Sequence, residues 1–186
     1  LFVLDCCLVT DGGGAFVLMR ADGALDRPKA PVYVLGAGAA AWHRSISSME
    51  DFTVTPTKQA GEQAFAMAKL GPAEIDMAQL YDAFTINTIL ALEDLGFCKK
   101  GEGGGFVEHG AIAPGGRLPV NTNGGGLSCV HPNMYGAFAI IEAVRQLRGE
   151  AGERQVSGLT TAVVNGNGGA CAASEAVAVL GTESAL

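Results

Sequence analysis

Basic residues are scarce. The 186 residues hold 12 Lys and Arg against 19 Asp and Glu, a formal net charge of −7. A nucleic-acid surface needs a basic stripe to displace counterions, so general nucleic-acid binding is excluded. A ligand with a few phosphates stays open, because local charge can oppose net charge. Histidine is scarcer still, at three residues. With no carboxylate at ligand spacing and no C-x-x-C among the cysteines, no metal site is expected. No apolar run reaches about 18 residues, so no membrane span is expected. The cysteines are Cys6, Cys7, Cys98, Cys129 and Cys171, an odd number. A chain able to bury a core needs no disulfide framework, and free thiols in the cytoplasm are the default. Leu1 to Asp5 has neither an initiator Met nor a basic leader, so the chain reads as beginning mid-strand rather than at a signal peptide or natural start.

Glycine is plentiful, at 27 residues, and 48% of the chain is hydrophobic. The glycines cluster at Gly12–Gly14, Gly103–Gly105, Gly124–Gly126 and Gly166–Gly169 without a fixed period. Such clusters between apolar runs mark tight turns or close backbone approach.

Strands are expected at Ala15–Arg20, from Val32, at Asp76–Tyr81, Gln155–Val164 and Ala170–Leu180. Helices are expected at Lys58–Leu70, Thr85–Leu95 and Tyr135–Leu147. Trp42–Thr57 and Lys99–Leu118 read as loops, and Asn165–Gly169 as a turn. The linker-like stretch Ala21–Pro31 is the candidate boundary. Alternating strands and helices indicate an α/β layered architecture.

Three segments are able to carry chemistry. In Asn121–Pro132 a glycine run leads to His131 just before the Tyr135 helix, a place for a base or simply a cap and turn. In Tyr81-Asp82-Ala83-Phe84, at a strand end, Tyr81 could donate to an oxyanion and Asp82 could orient a neighbour or cap the helix. Asn165-Gly166-Asn167-Gly168-Gly169 offers backbone donors around a carbonyl oxygen, or a plain hairpin. Cys129 and Cys171 read as packing thiols, although Cys129 could pair with His131. His43 and His109 read as solvated.

These segments, in this order, resemble the C-terminal half of the thiolase superfamily. The nearest branch is that of the sterol carrier protein x and lipid-transfer-protein thiolases, which are acetyl-CoA acetyltransferase-like. Asp82-Ala83-Phe84 with its preceding residue matches an [N/H]-[E/D]-x-F box, and Gly124–Pro132 matches a G-G-x-x-x-x-G-H-P box. Leu95–Gly103, Glu142–Gly149 and Arg154–Val156 continue the match. Asp11-Gly12-Gly13 resembles the turn before the last strand of the N-terminal half.

The resemblance implies a thiolase-like α/β fold: a mixed five-stranded sheet with helices on both faces, plus the last strand or strands of the N-terminal half. Residues 1–28 would be the tail of the N-terminal domain and 29–186 the C-terminal domain. It implies thiolase-type acyl-CoA acyl transfer, by cleavage or condensation of a 3-oxoacyl-CoA. Coenzyme A is then substrate, and no cofactor is implied. The nucleophilic Cys of the N-terminal half has no counterpart here, so the chain alone is not expected to be competent. His131 matches the activating histidine. Tyr81 stands where the family has Asn or His, Val130 replaces a box glycine, and Asn165 stands where a second catalytic Cys heads C-x-G. His131, Tyr81 and Asn165 are thus the catalytic candidates. Asp82, Phe84, Asn123, Gly125, Gly166 and Gly168 are the substrate-binding candidates. The alternatives are a thiolase-fold retro-aldolase on side-chain acyl-CoA with a small OB-fold (DUF35-type) partner, and a non-catalytic acyl-CoA or lipid-binding half. The other partner expected is a thiolase N-terminal half or a second copy in a homodimer.

Overall fold

The computed structural model describes residues 1–24, 26–168 and 172–186. Its elements are α1 (Ala21–Ala24), β1 (Tyr33–Ala41), α2 (Thr57–Ala68), β2 (Met77–Gln79), α3 (Thr85–Asp94), α4 (Gly103–Val107), α5 (Gly125–Ser128), α6 (Tyr135–Leu147), β3 (Thr161–Gly168) and β4 (Ser174–Gly181), joined in places by single 3-10 turns. The strands form one mixed sheet in the order β1-β4-β3-β2. β4 runs antiparallel to β1 and β3, while β2 runs parallel to β3.

Alternation along β3 builds two cores. Val163 faces one way, with Val177 and Val179 of β4, against Ala60, Ala64 and Phe65 of α2 and Leu92 of α3. Ala162 and Val164 face the other way, against Tyr135, Ala139 and Ala143 of α6. Burying each large apolar side chain contributes about 1.5–3 kcal/mol, so the two faces hold helices on both sides of the sheet as expected.

Four strands, not five, are found among the described residues. The expected strand at Ala15–Arg20 joins no ladder, and Val17 is 89% exposed. Apolar content alone does not make a strand without a neighbour to accept its hydrogen bonds. The expected turn at Asn165–Gly169 is also overturned. β3 runs on through Gly168, with Asn165 opposite Val177 and Gly168 opposite Ser174. Glycine-rich sequence mimics a turn, but here pairing with β4 keeps it extended, with Gly166 against Gly136 of α6. β3 also starts late, at Thr161. Asp76 accepts hydrogen bonds from the backbone and hydroxyl of Thr160 and the backbone of Thr161, which fixes that start.

α4 lies inside the stretch expected to be loop. Glu93 of α3 accepts hydrogen bonds from Gly101 and Gly103 N–H at its N-terminus, where unpaired donors need an acceptor. That acceptor comes from another helix, so local sequence did not reveal it. α6 matches the expected helix residue for residue.

Beneath α6 lies a buried ionic network. Glu142 accepts from Arg154 at 2.9 Å, from Thr122 at 2.8 Å and from Gln146 at 3.1 Å. Burial pushes the Glu142 carboxyl up, but the Arg154, Thr122 and Gln146 hydrogen bonds outweigh it and hold it below the usual range. A carboxylate depressed in the fold stabilises above its unfolded pKa and loses that contribution as pH falls through its folded pKa. Arg154→Met should therefore cost about 2 kcal/mol at pH 7, reduced from the fully buried case because the guanidinium is partly solvated. The penalty should shrink below about pH 4. Denaturant melts at pH 7 and pH 3.5 check this; an equal penalty at both refutes it.

Candidate active site

The site gathers where the β2 exit meets the Asn121–Pro132 loop. Val120 pairs with Ala78 of β2. The Asn121 amide then copies a strand, accepting from Leu80 N–H at 2.7 Å and donating to Leu80 carbonyl at 2.9 Å. This places Tyr81 and Asp82 directly against the glycine run.

Asp82 is buried and caps α5. Its carboxylate accepts from Gly126 N–H at 2.6 Å and Leu127 N–H at 3.3 Å. Burial pushes its pKa up, and those hydrogen bonds oppose the rise. Gly125 is required beside it: its φ is +68°, and a Cβ there would overlap the Asp82 carboxylate. Gly125 N–H donates to Asn123 Oδ1 at 3.0 Å, and the same oxygen accepts from the Tyr135 hydroxyl at 3.0 Å. The N–H groups of residues 125 to 127 are thus all committed inside the protein. Asp82, Asn123 and Gly125 build the loop that carries His131.

His131 lies four residues before α6, and its N–H donates to Thr10 Oγ1 at 3.0 Å. Val9 pairs with it as a short parallel bridge. Its ring stacks on Tyr135 at 6.2 Å and meets Tyr81 edge-on at 5.1 Å. Nε2 is shielded from solvent and has no hydrogen-bond partner among the described residues. An unpartnered buried ring nitrogen costs stability, so the fold leaves one polar atom of this ring uncommitted.

Tyr81 is 8% exposed. Burial, then the charges of Cys7, Asp82 and Glu175, push its phenol upward. It therefore stays protonated, as a donor. Phe84 precedes α3 and pairs with Cys6, while Cys7 N–H donates to Ala83 carbonyl at 2.9 Å. The chain start thus runs along the edge of the site.

Asn165 comes to the same place from β3, but its amide is fully engaged. Oδ1 accepts from Tyr81 N–H at 3.1 Å, and Nδ2 donates to Glu175 Oε2 at 2.8 Å and Thr57 Oγ1 at 3.3 Å. Gly166 faces α6, and Gly168 ends the strand with Ser174 beside it. The site therefore unites His131, Tyr81, Asp82, Asn123, Gly125 and Asn165, with Gly166 and Gly168 farther along β3.

A family model described as thiolase C-terminal domain-like matches residues 38–182. The chain belongs to this family. Among known proteins, the acetyl-CoA acetyltransferase of Methanothermobacter thermautotrophicus is 42% identical over 171 residues, 91% of this chain and 45% of its own length. The 17-hydroxy-3-oxo-4-pregnene-20-carboxyl-CoA lyase of Mycobacterium tuberculosis is 40% identical over 154 residues, 80% of this chain and 39% of its own length. Among solved structures, the Ltp2-ChsH2(DUF35) aldolase superposes with a TM-score of 0.89 at 34% identity, covering 98% of this chain and 48% of that one. The chain spans less than half the length of each.

Within this thiolase C-terminal domain, sequence reasoning missed Glu175. It lies on β4 at 5% exposure, and it accepts from Asn167 Nδ2 at 2.7 Å as well as from Asn165. The signal was an acid at an inward strand position, two residues before Val177 and four before Val179. Cys129 is exposed, so it is not a packing thiol. Cys171 and Gly169 lie outside the described residues. His109 is exposed as expected, but both ring nitrogens of His43 are shielded without partners. Among the described residues no three His, Cys, Asp or Glu side chains cluster to hold a metal ion, and no helix is long and apolar enough to cross a membrane.

Proposed function

We propose that the protein carrying this chain works on acyl-CoA thioesters and cleaves the carbon–carbon bond of a 3-hydroxyacyl-CoA by a retro-aldol step. The carrying observation is the engaged Asn165 amide beside the Tyr81–His131 pair. Thiolase-type acyl transfer needs a nucleophile that takes the acyl group in addition to a base and an acid, and an amide bound on both ends supplies none. A retro-aldol step needs one base and one acid. His131 Nε2 takes the proton of the 3-hydroxyl, and its O–H electrons form the carbonyl. The bond between the α- and β-carbons breaks, and its electron pair passes to the thioester as an enolate. The Tyr81 hydroxyl then protonates the α-carbon. The products are a carbonyl compound and a shortened acyl-CoA, and solvent returns one proton across the site. The lyase and aldolase relatives support this reading.

The partners that go with it are a thiolase N-terminal half or a second copy, and a small OB-fold protein of the DUF35 type, for which the aldolase neighbour's name is the support. A second reading, acyl transfer with a cysteine from an N-terminal half, draws on the acetyltransferase relative and on the free His131 Nε2. The natural polypeptide should be given a 3-hydroxyacyl-CoA alone, and a 3-oxoacyl-CoA with free CoA. Release of a carbonyl product from the first, with no thiolysis of the second, is the expected result. Thiolysis without cleavage overturns it.

A further inference from the structure

Behind Tyr81, on the α2 face of the sheet, a cavity of about 20 Å³ is lined by Tyr81, Thr57, Asn165, Asn167 and Glu175, among others. One water needs roughly 10–15 Å³ or more, so this space holds one. It is far smaller than the few hundred Å³ that an organic ligand fills.

Glu175 is the carboxyl in that cavity, and the fold gives it no counter-charge. Its oxygens are met by two neutral amides, Asn165 and Asn167 of β3. Thr57 of α2 adds a hydroxyl. β1 presents Ala40 opposite it. From α3 comes Asp94, of like sign, already paired with Lys100 at 2.6 Å. From the β2–α3 segment comes Tyr81. Among the described residues no cation reaches it. Buried carboxylates kept for structure are paired, because an unpaired buried charge is costly.

Resting on the retro-aldol reading, we propose that Glu175 is the proton relay that re-supplies Tyr81 through this cavity. After Tyr81 protonates the α-carbon it is a phenolate. The Glu175 O–H bond breaks, the Tyr81 O–H bond forms, and a carboxylate is left on Glu175. A water in the cavity then delivers a proton from solvent and restores the acid. Burial, only partly opposed by Asn165 and Thr57, pushes Glu175 up to about 8, which keeps it protonated at neutral pH and a stronger acid than the phenol it serves.

The test is Glu175→Gln in the natural polypeptide. Turnover of a 3-hydroxyacyl-CoA should fall at least about tenfold, and the alkaline limb of kcat near pH 8 should disappear. A second readout needs no activity. An acid whose folded pKa is raised loses stability as pH climbs from its unfolded value to its folded one. The melting temperature of Glu175→Gln should therefore gain on the parent between pH 5 and pH 8, then run parallel. A constant melting difference overturns the relay, as does a folded variant that keeps the parent's rate and alkaline limb. If the parent cleaves no 3-hydroxyacyl-CoA, the retro-aldol reading fails and the relay of this reaction with it. The melting comparison then decides separately whether Glu175 holds a proton.

Discussion

Tyr81→Phe is expected to lower turnover of a 3-hydroxyacyl-CoA by roughly 10²–10⁴-fold, the worth of a positioned general acid, while the protein stays folded. The ring keeps its edge-on contacts with His131 and Tyr135, at 5.1 and 5.8 Å. The link from residue 81 to Asn165 runs through the backbone N–H and survives. Only the hydroxyl goes, so stability should change by no more than about 1 kcal/mol. The loss should fall on kcat more than on KM, because the proton moves only in the transition state. Tyr135→Phe is the control. Its hydroxyl holds Asn123, and its removal loosens the loop without removing the acid. Steady-state kinetics of both variants decide. A Tyr81→Phe enzyme within about threefold of the parent removes the phenol from the chemistry.

The site was more legible in the sequence than the sheet was. Tyr81, Asp82 and His131 each sit at the end of an element, where local sequence left cap and turn readings open and the family resemblance drew them together. α6 is legible from its own residues: its apolar stripe repeats every three to four residues for 13 residues and ends at Gly149. What failed depends on partners distant in sequence. Asn165–Gly168 look like a turn locally and become strand only because β4 pairs with them. α4 exists because Glu93 caps it. Glu175 is invisible as a cavity acid until Asn165, Asn167 and Thr57 are brought around it from β3 and α2. Ala15–Arg20 fails in the opposite sense. Its composition is that of a strand, but it joins no ladder among the described residues.

The other large effect is on stability, at Gly38. α2 lies so close to β1 that a Cβ on Gly38 would overlap the Ala60 carbonyl oxygen and come within 2.7 Å of the Gln63 Cβ. Gly36 meets the carbonyl of Ala64 in the same way, one helical turn along. What stands in the way is helix backbone, which has no rotamer to change. α2 must lift, and the burial of Ala60, Ala64 and Phe65 goes with it. Gln63 Oε1, which accepts from Ala39 N–H at 3.1 Å, would be pulled off the strand too. Gly38→Ala should therefore cost about 3 kcal/mol, the upper part of the overpacking range, and lower Tm by about 6–12 °C for a chain of this size. In an unobstructed strand the same change would stabilise by restricting the unfolded chain, so the sign itself is diagnostic. Gly13, where a Cβ meets nothing within 4 Å, supplies the control, and Gly13→Ala should stay within about 0.5 kcal/mol. The double variant Gly36→Ala/Gly38→Ala should cost less than the sum of the singles. One lift of the helix makes room for both methyls, and residues that share a backbone shift do not add. Thermal melts of the parent and the four variants test this, and additive single costs would mean that each methyl is accommodated locally, with α2 left where it is.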